Sequence, residues 1–180
     1  MSEDNFIIIE VLSGKKEQYS ILMDRYHNEL FKYIYNITND YNATEDLLQE
    51  VFIKIYKNLS KFDSDKASFR TWIYRISSNH VMNYFNSKEY KNRQHNITLE
   101  TVSSSDDVEG DYIKDQKINL ILKTIKSVLK PKHQKIMLLH FFSGLTVNEI
   151  SETTDIPIKT IYKALKSSIE KIKQEVNINE

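Results

Sequence analysis

Trp72, Arg75, Asn79, Asn83 and Asn86 are spaced so that a helix over 68–90 places them on one continuous stripe. Arginine and asparagine read base edges through paired hydrogen bonds, and an indole offers a stacking surface for an unpaired base. Asparagine is a poor helix former, so three on one stripe have little structural reason to be there. Trp72 says less, because a lone Trp among Phe69, Ile73 and Ile76 is more often a core residue. Phe69, Ile73, Ile76 and Tyr84 flank the stripe on one side and Tyr74, Val81 and Phe85 on the other. Both flanks predict burial, leaving the stripe between core and solvent.

A second set of DNA-type side chains lies near the end of the chain. Lys159, Tyr162, Lys163 and Lys166 share one face of a helix whose opposite stripe is Ile158, Ile161, Leu165, Ile169, Ile172 and Val176. A short helix opened by the capping box Thr146-Val-Asn-Glu149 precedes it, and Asp155-Ile-Pro157 breaks the two apart. That is the outline of a helix-turn-helix, whose second helix enters the major groove with its first turns. The lysines suit phosphates or guanine edges, and Thr160 and Tyr162 suit bases. An ordinary helical hairpin with a solvated lysine face shares this outline.

A third face carries different chemistry. In TEDLLQEVFIKIYKNL (44–59) the apolar positions 47, 48, 51, 52, 55, 56 and 59 predict one buried side. Asp46, Gln49, Glu50, Lys54 and Lys57 fall on the other, with Ile53 in their midst. A single exposed Ile is common. Ringed by two carboxylates and an amide, it also has the make-up of a polar-rimmed docking patch.

Other chemistry is excluded. The 180 residues include no cysteine, so disulfides, thiolate metal sites and thiol catalysis are absent. The histidines at 27, 80, 95, 133 and 140 have no helical metal-ligand spacing, so no metal, no cofactor and no catalytic residue are expected. The N-terminus lacks the basic and apolar regions of a signal peptide, and its apolar run Phe6–Ile9 is too short to insert in a membrane, so a cytoplasmic protein is expected. Net charge is zero, but the charge is sorted. Residues 66–93 hold six bases against Glu89, and 156–173 hold five lysines against Glu170. Residues 94–115 between them hold six acids against Lys114. Two basic segments separated by an acidic one make two phosphate-binding surfaces.

The elements that must position these faces are helices. Three glycines, two prolines and no convincing alternation predict an all-α chain. Helices are expected near 4–12, 16–38, 43–59 (capped by Asn42 with Glu45), 68–90, 112–129, 132–143, 146–154 and 158–176. Residues 94–111 are rich in Ser, Asp and Glu with few large apolar side chains, and read as a flexible linker between two small helical domains, 1–93 and 112–180.

DLLQEVF followed by KFDSDKASFRTWIYRISSN resembles region 2 of bacterial sigma factors of the sigma-seventy family. The segment LKPKHQKIMLLHFFSGLTVNEISETTDIPIKTIYKALKSSIEKIK is similar to their region 4, and the short chain resembles the extracytoplasmic-function (ECF) type. The resemblance implies that Asp46, Gln49 and Glu50, with Ile53 added by the helical wheel, contact core RNA polymerase. It also implies that the loop Asp63, Ser64, Asp65, Lys66 and Ser68 captures a flipped base of the minus-ten promoter element. Trp72, Arg75, Asn79 and Asn83 would read its neighbours, while Lys159, Thr160, Tyr162, Lys163 and Lys166 would read the minus-thirty-five element. Promoter DNA and an anti-sigma factor are the other implied partners. Many relatives have V-G-T-V-K-S-R-L in the recognition helix where this chain has Ile158-Lys-Thr-Ile-Tyr-Lys-Ala-Leu165, and Leu-Gly where it has Thr154-Asp155. Base-specific contacts are therefore not transferred. The alternative is a conventional helix-turn-helix regulator that binds an operator without joining a polymerase.

Overall fold

The computed structural model describes residues 2–88, 90 and 109–178. Most of the expected linker lies outside the described residues. Among those described, all regular structure is helical. The order is α1 (Glu3–Leu12), α2 (Tyr19–Thr38), α3 (Tyr41–Asn58), α4 (Phe69–Phe85), α5 (Glu109–Val128), α6 (Pro131–Phe142), α7 (Val147–Thr154) and α8 (Ile158–Ile178), with 3-10 turns at Lys16–Gln18 and Leu59–Lys61.

In the first half α2 is the central post. Leu30, Tyr33, Ile34 and Ile37 are fully buried against α3 and α4, as the 3.6-residue period requires. The α2–α3 corner is tighter than the sequence suggests. Asn39 ends α2 in the left-handed region at φ 48°, and the Asp40 carboxylate accepts from the Ala43 N–H at 2.9 Å. Asp40, not Asn42, is thus the cap, because the reversal is complete two residues earlier than expected. Thr38 and Thr44 hydroxyls meet at 2.7 Å across the corner. The expected helix over 16–38 begins as a 3-10 turn, and α4 stops at Phe85 rather than near 90. There Asn86 turns its amide back on its own helix, donating from Nδ2 to the Met82 carbonyl at 3.0 Å. Asn86 therefore ends the stripe as a cap.

In the second half Pro131 occupies the first turn of α6, where no N–H is needed, and Gly144 follows at φ 66°. The capping box of α7 forms in full: the Thr146 hydroxyl accepts from the Glu149 N–H at 3.3 Å, and the Glu149 carboxylate accepts from the Thr146 N–H at 2.8 Å. Asp155 takes the left-handed conformation at φ 57° and turns the chain into α8. Ile161 and Leu165 bury α8 against α5, α6 and α7. Ile158 departs from the expected stripe: at the first position of α8 it is 41% exposed, with no preceding turn to cover it. Val176 lies outside the residues whose side chains are described.

The halves are not separate in space. α4 packs along α7 and touches α6, and α2 also touches α6. The buried apolar side chains of both halves form one contiguous cluster. Arg70 of α4 is the hub of the seam: Nε donates to Glu29 of α2 at 2.7 Å and Nη1 to Glu149 of α7 at 2.8 Å. The Tyr74 hydroxyl, fully buried, donates to the Ser143 carbonyl at 3.2 Å. Partial burial works against a charged Glu149, but the Thr146 N–H and hydroxyl and the Arg70 guanidinium prevail and hold its carboxyl below the usual range. Its contribution is present above the ordinary Glu range and lost as pH falls through that lowered value. Thr146→Ala is expected to lower the stability of the chain by about 0.5–2 kcal/mol, read as a lower urea midpoint at unchanged slope.

Candidate functional site

The third face named from the sequence is formed on α3. Leu47, Leu48, Val51, Phe52 and Ile55 are buried, while Asp46, Gln49 and Glu50 are exposed and Ile53 is 47% exposed among them. Tyr56, one turn further on, is also exposed and rests edge-on against Tyr19 at 5.0 Å. Glu50 is approached from behind: His80 of α4 places Nε2 2.9 Å from its carboxylate, and Lys54 lies 4.0 Å away. Burial and the Lys54 ammonium push the His80 imidazole below its usual range, against the pull of Glu50. The neutral imidazole therefore predominates at pH 7.

The loop before α4 is folded on itself. Lys66 Nζ donates to the Asp63 carboxylate at 2.6 Å, and the Asp65 N–H donates to its other oxygen at 3.1 Å. The Lys66 bond, then the Asp65 N–H, lower the Asp63 carboxyl below its usual range. Ser64, Asp65 and Lys66 are exposed at the tip. Ser68 serves locally as the N-cap of α4, its hydroxyl accepting from the Thr71 N–H at 3.1 Å. It fixes where the loop ends and α4 begins.

On α4 the stripe exists, but its members differ. Trp72 is half-buried, stacked on Phe69 at 5.7 Å and edge-on to Phe62 at 5.5 Å. Its ring packs in an aromatic cluster with Phe62 and Phe69. Asn79 and Asn83 are exposed and Arg75 is partly so. Arg75 and Asn79 are both engaged by the second half. Arg75 donates to Asp155 at 2.8 Å and to the Glu152 carbonyl, and Asn79 accepts from Lys135 at 2.7 Å. Arg70, Lys135 and Asp155 were invisible as a set in the sequence. Their partners lie 41 to 80 positions away, so no local spacing links them.

On α8, Lys159, Thr160, Tyr162, Lys163 and Lys166 are all exposed, Tyr162 at 59%. They share the side opposite Ile161 and Leu165, a cationic face with an aromatic centre at the helix N-terminal end.

A short capped helix, a left-handed turn and a longer basic helix, joined to a bundle with an acid-amide face, define a two-part helical architecture of DNA-binding type. Comparison with known proteins makes this specific. Residues 22–90 match the family model for sigma-70 region 2. The chain is 30% identical over 150 residues to the RNA polymerase sigma factor SigZ of Bacillus subtilis, covering 83% of this chain and 80% of that protein. It is 24% identical over 177 residues to the ECF RNA polymerase sigma factor SigW of the same organism, covering 94% of each. The structure of CnrH in complex with the cytosolic domain of CnrY has the same fold, with a TM-score of 0.69 at 15% identity, covering 99% of this chain and all of that one. The chain belongs to the sigma-70 family of RNA polymerase sigma factors and is of the ECF type.

Proposed function

We infer that this chain is an alternative sigma factor, a dissociable subunit that brings core RNA polymerase to promoters and assists their opening. The observation that carries the reading is the presence of the α3 patch (Asp46, Gln49, Glu50, Ile53) in the same chain as a helix-turn-helix. A conventional operator-binding regulator has no use for that patch. In this reading residues 1–93 bind polymerase and recognise the minus-ten element, 94–111 link, and 112–180 recognise the minus-thirty-five element through α8. The loop Asp63–Ser68 receives one extruded base, with Arg75, Asn79 and Asn83 reading its neighbours, so that capture offsets the few kcal/mol that unstacking costs.

Polymerase supplies all the chemistry, and the sigma subunit none. The setting is the cytoplasm, and among the described residues no helix is long and apolar enough to cross a membrane. An anti-sigma factor is the natural restraining partner. Two proteins of this fold are known as complexes: CnrH with the cytosolic domain of CnrY, and the sigma factor RpoE of Bartonella quintana with the anti-sigma factor NepR.

The direct test is co-purification with bacterial core polymerase followed by run-off transcription on genomic fragments. Recovery of polymerase and discrete, sigma-dependent transcripts are expected. Tight duplex-operator binding by the chain alone, with no polymerase recovered, would favour the conventional regulator. Lys163→Ala tests the α8 face. If its ammonium meets a phosphate, the slope of log K against log salt for holoenzyme on promoter DNA falls by about 1, with sequence preference unchanged.

A further inference from the structure

One member of the α3 patch, Glu50, is met from below by a side chain of another helix. Resting on the reading of α3 as the polymerase-binding face, we propose that His80 of α4 is a positioning residue for polymerase binding, which sets the Glu50 carboxylate in the orientation its partner meets. His80 Nε2 stands 2.9 Å from Glu50 Oε2. Lys54, one turn along α3, puts its ammonium on the other ring nitrogen, Nδ1. An ammonium only donates, so Nδ1 accepts and the ring proton sits on Nε2, facing the carboxylate. Burial and the same ammonium hold the imidazole below its usual range, so this neutral tautomer prevails near neutral pH. The three side chains form a relay, ammonium to imidazole to carboxylate, that crosses from α3 to α4 and back.

Exposure decides which partner directs the other. The His80 side chain is 12% exposed and that of Glu50 is 59% exposed. The histidine is held by its packing, so the carboxylate follows it. Nε2 is itself buried and lies off the line of a full hydrogen bond to Glu50. A buried N–H without a well-directed partner is costly, which draws the carboxylate toward the ring rather than out into water. The contacts from His80 and Lys54 both fall on Oε2, leaving Oε1 for a partner. A half-exposed pair of this kind contributes little to stability, and its effect is on orientation. An unrestrained glutamate has three rotatable side-chain bonds, and freezing them at an interface opposes binding. Ordering the side chain in the free protein removes part of that cost.

The test compares three replacements of His80. His80→Gln returns an N–H close to the place of Nε2, His80→Asn reaches only as far as Nδ1, and His80→Leu has none. Binding of the full-length chain to bacterial core polymerase is measured by fluorescence titration. Three-bond NMR couplings at Glu50 in the free chain report its rotamers without polymerase. His80→Leu and His80→Asn are expected to weaken binding roughly threefold to tenfold and to average the Glu50 couplings. Either variant suffices should the other not fold, as read from its urea midpoint. His80→Gln is expected to keep wild-type affinity and a single Glu50 rotamer. Glu50→Ala removes the group being positioned, and on that background His80→Leu is expected to cost nothing further. Wild-type affinity in His80→Leu and His80→Asn overturns the proposal, as does an equal loss in all three replacements. An undiminished loss on the Glu50→Ala background, or averaged Glu50 couplings in the wild type, overturns it too. No polymerase binding by the wild-type chain would instead sink the sigma-factor reading, and would leave the Glu50 couplings as they are.

Discussion

Ile53→Asp is expected to remove most of the chain's recovery of core polymerase while leaving its melting temperature unchanged. Ile53 is half-exposed on α3, and the packing of α3 rests on Leu47, Leu48, Val51, Phe52 and Ile55 beneath it. A carboxylate there meets water in the free protein at little cost. In the complex it adds a third acid beside Asp46 and Glu50 and must be desolvated at the centre of the patch. Central anchors of such patches cost roughly 2 kcal/mol or more on truncation, and an inserted charge exceeds truncation. A pull-down at limiting protein therefore reads a loss of about thirtyfold or more. Gln49→Ala, at the rim, loses less. Wild-type recovery by Ile53→Asp at limiting protein would show that the patch docks nothing.

Ile161→Ala is expected to be the most damaging single change in the second half. Ile161 has no exposed surface and joins α8 to the helices beneath it. Removing its branched side chain forfeits transfer energy and leaves a cavity, about 2–5 kcal/mol together. Isolated helices of α7's eight residues do not persist in water, so α7 depends on this packing. Recognition of an upstream promoter element should fail with the fold, unlike Lys163→Ala, which spares stability. Chemical denaturation of the full chain separates the two: a midpoint shift belongs to Ile161, and none is expected for Lys163. An unshifted midpoint for Ile161→Ala would mean that α8 is held by contacts other than its apolar stripe.

The helical class and the faces of α3 and α8 were legible because each rests on periodicity within a single helix. Leu47, Val51 and Ile55 on one side force Asp46, Gln49, Glu50 and Ile53 to the other whatever else the chain does. The Thr146–Glu149 box and Pro131 were legible for the same reason, since both partners or the whole effect lie within one turn. Helix ends were less so. Asp40 displaced Asn42 as a cap because the turn geometry set by Asn39 decides which side chain reaches a free N–H, and the two asparagines look alike in sequence. Ile158 kept its place in the pattern but lost its cover at the helix start. The engagement of Arg75 and Asn79 was illegible. It depends on how the second half sits on the first, and composition showed only that one was basic and the other carried an acid at its turn.

The contiguous apolar cluster through both halves has a thermodynamic meaning. Tyr74, buried on α4 with its hydroxyl donating to the Ser143 carbonyl, belongs to the first half by sequence and to the seam by contact. Melting either half strips neighbours from the other, so the two domains are expected to unfold together rather than in series, read as one coincident transition by two probes. Parting the halves would leave the short α7 to stand on its contacts with α6 and α8 alone.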